Sequence, residues 1–169
     1  SALRDRDSCI CLLMLDSGLR LGEVLGLKYG SLHLEEGYIS VLGKGDKERY
    51  VPVGQHTKKE FMRYLFTRIG CASKCSLFEK SKEIPLTEGA VRSLFRRLKR
   101  MTGIERLHPH LLRHTFATRY LENGGDLYSL QLILGHTTLE MSKRYVQTTT
   151  RKMAVSFTQY SPLDNLLKK

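Results

Sequence analysis

The sequence lacks the features that would place the protein in a membrane or outside the cell. Its longest apolar run, CICLLML at residues 9–15, is far shorter than the roughly 18 apolar residues that a bilayer span requires. It contains no signal-peptide pattern, no polybasic block and no amphipathic anchor of the kind that binds membrane surfaces. We therefore expect a cytoplasmic protein with no membrane partner.

Metal-binding patterns are also absent. The cysteines are Cys9, Cys11, Cys71 and Cys75, and no histidine pair lies near them at zinc-site spacing. There is no acidic cluster either, so we expect no bound metal and no cofactor. We expect all four cysteines to be reduced thiols. Cys9 and Cys11 lie in the apolar run and are expected in the core.

Acidic residues are few relative to basic ones. The 169 residues include 28 Lys and Arg against 17 Asp and Glu, which gives a net charge of +11 and a pI of about 9.7. A chain of this length forms one domain by default. A pI above about 9 is typical of a domain that binds nucleic acid. The alternative is a protein that is merely basic and soluble.

Hydrophobic periodicity predicts a mostly α-helical domain with one small antiparallel β-sheet near its N-terminal third, an α+β fold. Two alternating runs within residues 37–53 flank Gly45-Asp46, a dipeptide typical of hairpin turns, and 31–34 is a candidate third strand. A tail over 147–169 is weakly helical. The predicted helices cover residues 4–17, 21–28, 56–69, 88–102, 110–122, 127–134 and 138–146.

Residues 88–102 form the clearest of these helices. One face repeats apolar side chains at helical spacing, at Val91, Leu94, Phe95, Leu98 and Met101. The opposite face is either a solvated surface or a contact with a DNA backbone, and we favour DNA because phosphate contacts dominate such interfaces. That face carries Arg92, Arg96, Arg97, Lys99 and Arg100.

Two segments near the N-terminus carry cationic side chains in distinctive settings. In SGLRLGE, Arg20 begins a short helix and Glu23 lies at i+3, where its carboxylate can hold the guanidinium in place. The alternative is an ordinary salt bridge at a helix junction. Lys44 lies between two glycines beside the hairpin turn, where a ligand can approach closely. The alternative is a solubilising surface charge.

Two further segments lie in the C-terminal half. In LHPHLLRHTFATRYL, His110 and Arg113 lie three residues apart on one helix face, and a guanidinium beside an imidazole suits a phosphate group. The alternative is a pair of partly buried helix residues. In LGHTTLEMSKRYV, Tyr145 follows His136 by nine residues, although a tyrosine is most often a packing residue.

Together these side chains fit phosphoryl transfer, which requires positioned positive charge where negative charge accumulates. A tyrosine can act as a covalent nucleophile, and a lysine can protonate a departing oxygen. In order and spacing, the segments resemble the catalytic domain of the tyrosine recombinases, a family that includes phage integrases, Xer-type recombinases and conjugative-transposon integrases. The resemblance covers residues 4 to about 150 and shows no departure at the six positions.

The resemblance implies a role for each position. Arg20 and Arg113 would bind the scissile phosphate, Tyr145 would attack it to form a 3′-phosphotyrosyl link, and Lys44 would protonate the 5′-oxygen. His110 would assist proton transfer at the tyrosine, and His136 would hydrogen-bond the phosphate. Glu23 would support the site without reacting.

The resemblance also implies domain organisation and partners. We expect residues 1–169 to be a single catalytic domain without the family's N-terminal core-binding domain, and 147–169 to be a tail that docks on a neighbouring protomer or frays. The expected partners are double-stranded DNA and other copies of the chain, as a tetramer on DNA, with a monomer as the alternative for the isolated domain. The expected function is site-specific recombination that integrates or excises a mobile element. The alternatives are a type IB topoisomerase and a DNA-binding regulator without catalysis.

Overall fold

The computed structural model describes residues 2–43, 48–68, 70, 72–81 and 84–135. Within these ranges the chain forms a mostly helical domain with two small antiparallel sheets, which confirms the predicted fold class. The helices are α1 (Ala2–Asp16), α2 (Leu21–Gly26), α3 (Gln55–Leu65), α4 (Glu88–Thr102), α5 (Pro109–Glu122) and α6 (Leu127–Leu134). The strands are β1 (Leu32–His33), β2 (Tyr38–Leu42), β3 (Glu48–Pro52), β4 (Glu79–Ser81) and β5 (Ile84–Pro85).

The first sheet has the strand order β1-β2-β3. Strands β2 and β3 pair antiparallel, with Ile39 opposite Val51 and Val41 opposite Arg49, so the predicted hairpin is confirmed, although its turn lies outside the described residues. The candidate third strand is present but shorter than predicted. Because side chains alternate along a strand, buried Ile39, Val41 and Val51 define the inner face of the sheet.

A second sheet, formed by β4 and β5, was not predicted. Its strands have three and two residues, and their sequence lacks the apolar alternation that identifies a half-buried strand. Pairing between Glu79 and Pro85, rather than local propensity, creates this sheet.

Helix α1 forms the centre of the core. It packs against α3 and α5, and Ile10, Leu13 and Met14 are fully buried, as the apolar run predicted. Cys9 is fully buried and Cys11 is half-buried. Burial raises the pKa of the Cys9 thiol to about 12 and that of Cys11 to about 11. Both thiols are therefore protonated at neutral pH.

The helix boundaries follow their capping residues. Thr87 caps α4 by accepting a hydrogen bond from the Ala90 amide, and Asp126 caps α6 in the same way. Pro109 occupies the first turn of α5, which His108 caps through its Nδ1. These local patterns predicted α4 and α6 to the residue.

The apolar face of α4 is only partly covered. Val91, Leu94 and Phe95 are buried, but Met101 is 74% exposed. The last turn of α4 borders an open groove that Leu3 of α1 also lines. Helical spacing identifies the face on which Met101 lies, but tertiary packing decides how much of that face is covered.

No helix within the described ranges is both long enough and apolar enough to cross a bilayer.

Candidate active site

The buried guanidinium of Arg113 joins two distant parts of the chain. Arg113 is 8% exposed, and its Nη1 donates to the Gly18 carbonyl oxygen. Its Nη2 donates to the Leu134 carbonyl oxygen at 2.9 Å. Arg113 therefore holds the turn after α1 against the last turn of α6.

The backbone of Gly18 makes this close approach possible. Gly18 has a φ of +65°, a conformation that a side chain disfavours. A Cβ atom at this position would lie 2.4 Å from Phe116 of α5 and 2.8 Å from Leu134. The glycine that ends α1 is thus also required for α5 and α6 to pack against the turn.

Arg20 and Glu23 begin helix α2 and contact each other. Arg20 is the N-cap residue, and its backbone amide donates to Glu23 Oε2 at 2.8 Å. Its Nη1 donates to Glu23 Oε1 at 3.0 Å. The Glu23 side chain is only 8% exposed, whereas that of Arg20 is 37% exposed. The carboxylate therefore orients a guanidinium that remains accessible to solvent.

Arg49 is a third arginine in this part of the structure, and it was not predicted from the sequence. Its Nη1 and Nη2 donate to the two oxygens of Glu23 at 2.9 and 3.0 Å, and its Nε donates to the Ile133 carbonyl oxygen at 2.9 Å. One signal was available in the sequence: strand alternation puts Arg49 on the same face as Val51, and a cation facing the core requires a partner.

The pKa of Glu23 lies below its usual value. Burial by itself raises this pKa, but the hydrogen bonds from the Arg49 side chain and the Arg20 amide, together with the charges of both arginines, outweigh it. Glu23 is therefore a carboxylate at neutral pH. The cluster of Arg20, Glu23, Arg49 and Arg113 contains three cations and one anion, which gives these four side chains two net positive charges.

His110 lies in the first turn of α5 and is exposed. It precedes Arg113 by three residues on the same helix, and its ring centroid lies 6.4 Å from that of His108. His114 is also exposed. The helix thus presents His110 at the surface one turn before the buried guanidinium.

The other predicted site residues, Lys44, His136 and Tyr145, lie outside the described residues, as do the predicted helix 138–146 and the tail 147–169. Gly135, which precedes His136 in the sequence, ends α6 with a φ of +63°. A Cβ on Gly135 would lie 3.1 Å from Arg49 Cζ. Gly135, the residue immediately before His136, therefore lies against Arg49 of the arginine cluster.

The cationic face of α4 is largely open to solvent. Arg92, Arg96, Arg97 and Arg100 are exposed, and Lys99 is half-buried. Arg92 pairs with Glu88 at 3.2 Å and Arg97 pairs with Asp7 at 2.7 Å, but both arginine side chains are more than half exposed. This face remains a candidate DNA contact.

No group of three His, Cys, Asp or Glu side chains in the described part of the chain is arranged to hold a metal ion. The cluster instead presents guanidinium groups, whose paired N–H donors match the oxygens of a phosphate. Its chemistry is therefore suited to an oxyanion.

Comparisons with known proteins support this interpretation. The profile of the phage integrase family matches residues 1–152. The tyrosine recombinase XerC of Staphylococcus epidermidis is 36% identical over 151 residues, which cover 88% of this chain and 51% of that protein. The chain thus spans about half the length of the curated relatives that it matches.

Solved structures show the same fold. The XerA recombinase is 32% identical with a TM-score of 0.76, covering 94% of this chain and 59% of that chain. The XerH recombinase in a post-cleavage complex with a palindromic difH substrate is 27% identical with a TM-score of 0.77, covering 95% and 47%. The catalytic domain of bacteriophage HP1 integrase is 25% identical with a TM-score of 0.66, covering 97% and 91%.

The fold is that of a tyrosine recombinase catalytic domain. The chain belongs to the phage integrase family.

Proposed function

We propose that this chain is the catalytic domain of a site-specific DNA recombinase, which cleaves and rejoins DNA strands through a 3′-phosphotyrosyl intermediate. The observation that carries the proposal is the arginine cluster. Arg113 binds the backbone at Gly18, two residues before Arg20, so arginines from distant parts of the sequence contribute to one cationic centre.

The charge of this centre suits phosphoryl transfer. A phosphodiester carries one negative charge, and attack by an oxygen nucleophile adds a second in the transition state. The cluster holds its net positive charge in fixed positions, since its side chains are bound to Glu23 and to backbone carbonyls. Preorganised charge of this kind stabilises the transition state more than the substrate.

The proposed reaction is a transesterification. The Tyr145 oxygen forms a bond to phosphorus as the bond from phosphorus to the 5′-oxygen breaks. The phenol proton leaves with the help of His110, and the 5′-oxygen takes a proton from Lys44. Arg20, Arg113 and His136 bind the phosphate oxygens. These roles are inferred from the resemblance and from the chemistry of the residues.

The intermediate conserves the energy of the phosphodiester. Because a phosphotyrosyl ester replaces a DNA ester, a 5′-hydroxyl of the same or another strand can reverse the step without a nucleotide or a metal ion. Attack by the original strand restores the starting DNA, and attack by another strand recombines it. On this proposal the chain needs no cofactor.

The proposal extends to partners and location. Double-stranded DNA would contact the arginines of α4, several copies of the chain would assemble on it as a tetramer, and the protein would act in the cytoplasm on a mobile element. The XerH relative, solved as pre-cleavage and post-cleavage complexes with difH, supports DNA as the substrate. Residues 147–169 would dock on a neighbouring protomer.

Covalent capture tests the proposal and identifies the DNA site in the same experiment. The full chain is incubated with a pool of nicked duplexes whose sequence around the nick is randomised, so that cleavage releases a short fragment and traps the adduct. Denatured protein is then recovered and its attached DNA sequenced. We expect adducts enriched in one sequence, and none with Tyr145→Phe.

The outcomes separate the candidate functions. Adduct formation by Tyr145→Phe would exclude the proposed nucleophile, and a complete lack of adduct with both proteins would favour a DNA-binding regulator. With the captured site in a supercoiled plasmid, a recombinase exchanges strands between two sites. A type IB topoisomerase relaxes the plasmid and exchanges nothing.

A further inference from the structure

The placement of Arg49 is unusual for a strand residue. It lies opposite Val41 on β3, on the face where Ile39, Val41 and Val51 are buried. Its side chain is only 13% exposed. A cation held at the edge of a core loses hydration and requires close partners, so its contacts indicate what it does.

Arg49 uses all three of its guanidinium nitrogens. Two of them bind the carboxylate of Glu23 in a fork at 2.9 and 3.0 Å, and Nε binds the Ile133 carbonyl oxygen at 2.9 Å. Forked arginine–carboxylate pairs fix direction as well as distance. Arg49 therefore determines both the position and the plane of the Glu23 carboxylate.

The Glu23 carboxylate in turn orients Arg20. Each carboxylate oxygen accepts one hydrogen bond from Arg49 and one from Arg20. Arg20 is the more exposed partner, with a side chain that is 37% exposed. If Arg49 were absent, Glu23 could rotate toward Arg20 and draw the guanidinium away from an approaching phosphate.

Arg49 also contacts the end of α6. It binds the Ile133 carbonyl, Arg113 binds the next carbonyl at Leu134, and the Arg49 guanidinium lies against Gly135. A cation near the C-terminus of a helix is favourable. The two arginines thus hold consecutive carbonyls of the turn that precedes His136.

We propose that Arg49 is a positioning residue for the recombinase reaction: it acts through Glu23 to orient Arg20, and through Ile133 to hold the end of α6 against the cluster. This inference rests on the proposed function. In this role Arg49 does not itself touch the phosphate. Its contribution is to hold Arg20 and Arg113, the two phosphate-binding arginines, in fixed positions relative to each other.

The test compares Arg49→Met with Arg119→Met. Arg119 is a matched control because its side chain is 73% exposed and pairs with Glu122 on the surface at 3.0 Å. On the captured duplex, Arg49→Met should slow single-turnover adduct formation by about 10- to 100-fold, by analogy with residues that orient metal ligands, whose loss costs that much activity. Its Kd for the duplex should stay within about threefold of wild type, since the many other backbone contacts along the duplex are unchanged.

A double-mutant cycle distinguishes positioning from simple stabilisation of the fold. If Arg49 acts through Arg20, adding Arg49→Met to Arg20→Ala should reduce the rate much less than the same change in wild type. Arg49→Lys, which keeps the cation but not the fork, should recover part of the rate and also serves if Arg49→Met does not fold. Equal losses in both backgrounds, or an unimpaired Arg49→Met, would overturn the inference.

A measurement on the chain without DNA distinguishes failure of the positioning role of Arg49 from failure of the proposed recombinase function. With ¹⁵N-labelled arginine, the Nε–H signal of Arg20, assigned from an Arg20→Lys variant, should shift in Arg49→Met and stay unchanged in Arg119→Met. An unshifted signal would refute the positioning role. If wild type forms no Tyr145-dependent adduct but the signal shifts, the proposed function fails while the Glu23-mediated coupling stands.

Discussion

Replacing Arg113 tests the most buried contact of the arginine cluster. Its guanidinium binds the carbonyl oxygens of Gly18 and Leu134, and the residue is 8% exposed. Arg113→Met would remove both donors and leave two buried acceptors without them. Each such loss costs about 1–3 kcal/mol, so we expect a loss of about 2–6 kcal/mol in the free energy of unfolding.

The expected loss can be measured by thermal and urea unfolding. For a protein of this size, Tm falls by about 2–4 °C per kcal/mol, so Arg113→Met should melt about 4–24 °C below wild type. Arg113→Lys, which can reach one carbonyl, should lose about half as much. Arg119→Met on the same helix should change stability by less than about 0.5 kcal/mol, because its ion pair is exposed.

The same variants separate folding from catalysis. Domains are commonly stable by about 5–15 kcal/mol, so Arg113→Lys should remain folded at 25 °C. We expect its DNA affinity to weaken modestly while its rate of adduct formation falls by about 10²-fold or more, the effect of losing a preorganised donor in the transition state. Equal losses in affinity and rate would indicate an ordinary phosphate contact. A Tm within about 2 °C of wild type for Arg113→Met would refute the structural role.

Three further predictions concern other parts of the site. Because the folded-state pKa of Glu23 is lowered, its stabilising contribution is complete above the unfolded pKa of about 4.3 and is lost as the pH falls through the folded value. Glu23→Gln should therefore destabilise the protein at pH 7, and urea titrations that show the same difference at pH 3 would contradict this. Gly18→Ala should lower the free energy of unfolding by about 2–4 kcal/mol through overpacking against Phe116 and a strained φ, whereas Gly22→Ala, whose Cβ would meet nothing within 4 Å, should be neutral or stabilising by up to about 1 kcal/mol in the same assay. Lys44→Ala should slow cleavage less when the leaving 5′-oxygen is replaced by sulphur, which needs no proton, and an undiminished defect would remove Lys44 from the acid role.

Local sequence patterns account for most of the secondary structure. Thr87, His108 and Asp126 mark helix starts by capping chemistry, and alternation on both sides of Gly45-Asp46 predicts the hairpin. The spacing from Arg20 to Tyr145 was sufficient to indicate the family, which the comparisons show. These features depend on residues close together in the chain, or on motifs read in order.

Local sequence patterns did not predict which distant residues would come into contact. Arg113 meets Gly18 across 95 residues and Arg49 meets Ile133 across 84 residues, and no periodicity specifies which carbonyl a guanidinium will reach. The exposure of Met101 similarly depends on which distant elements pack against the last turn of α4.

Local sequence patterns predicted the helices that the structure describes and the β2–β3 hairpin, and the composition accounts for the positive charge. Packing of α1, α5 and α6 around the Gly18 turn decided that Arg20 and Arg49 share one carboxylate and that Arg49 and Arg113 share one helix end. The physical reason is that a buried charge is stable only where the fold supplies its partners.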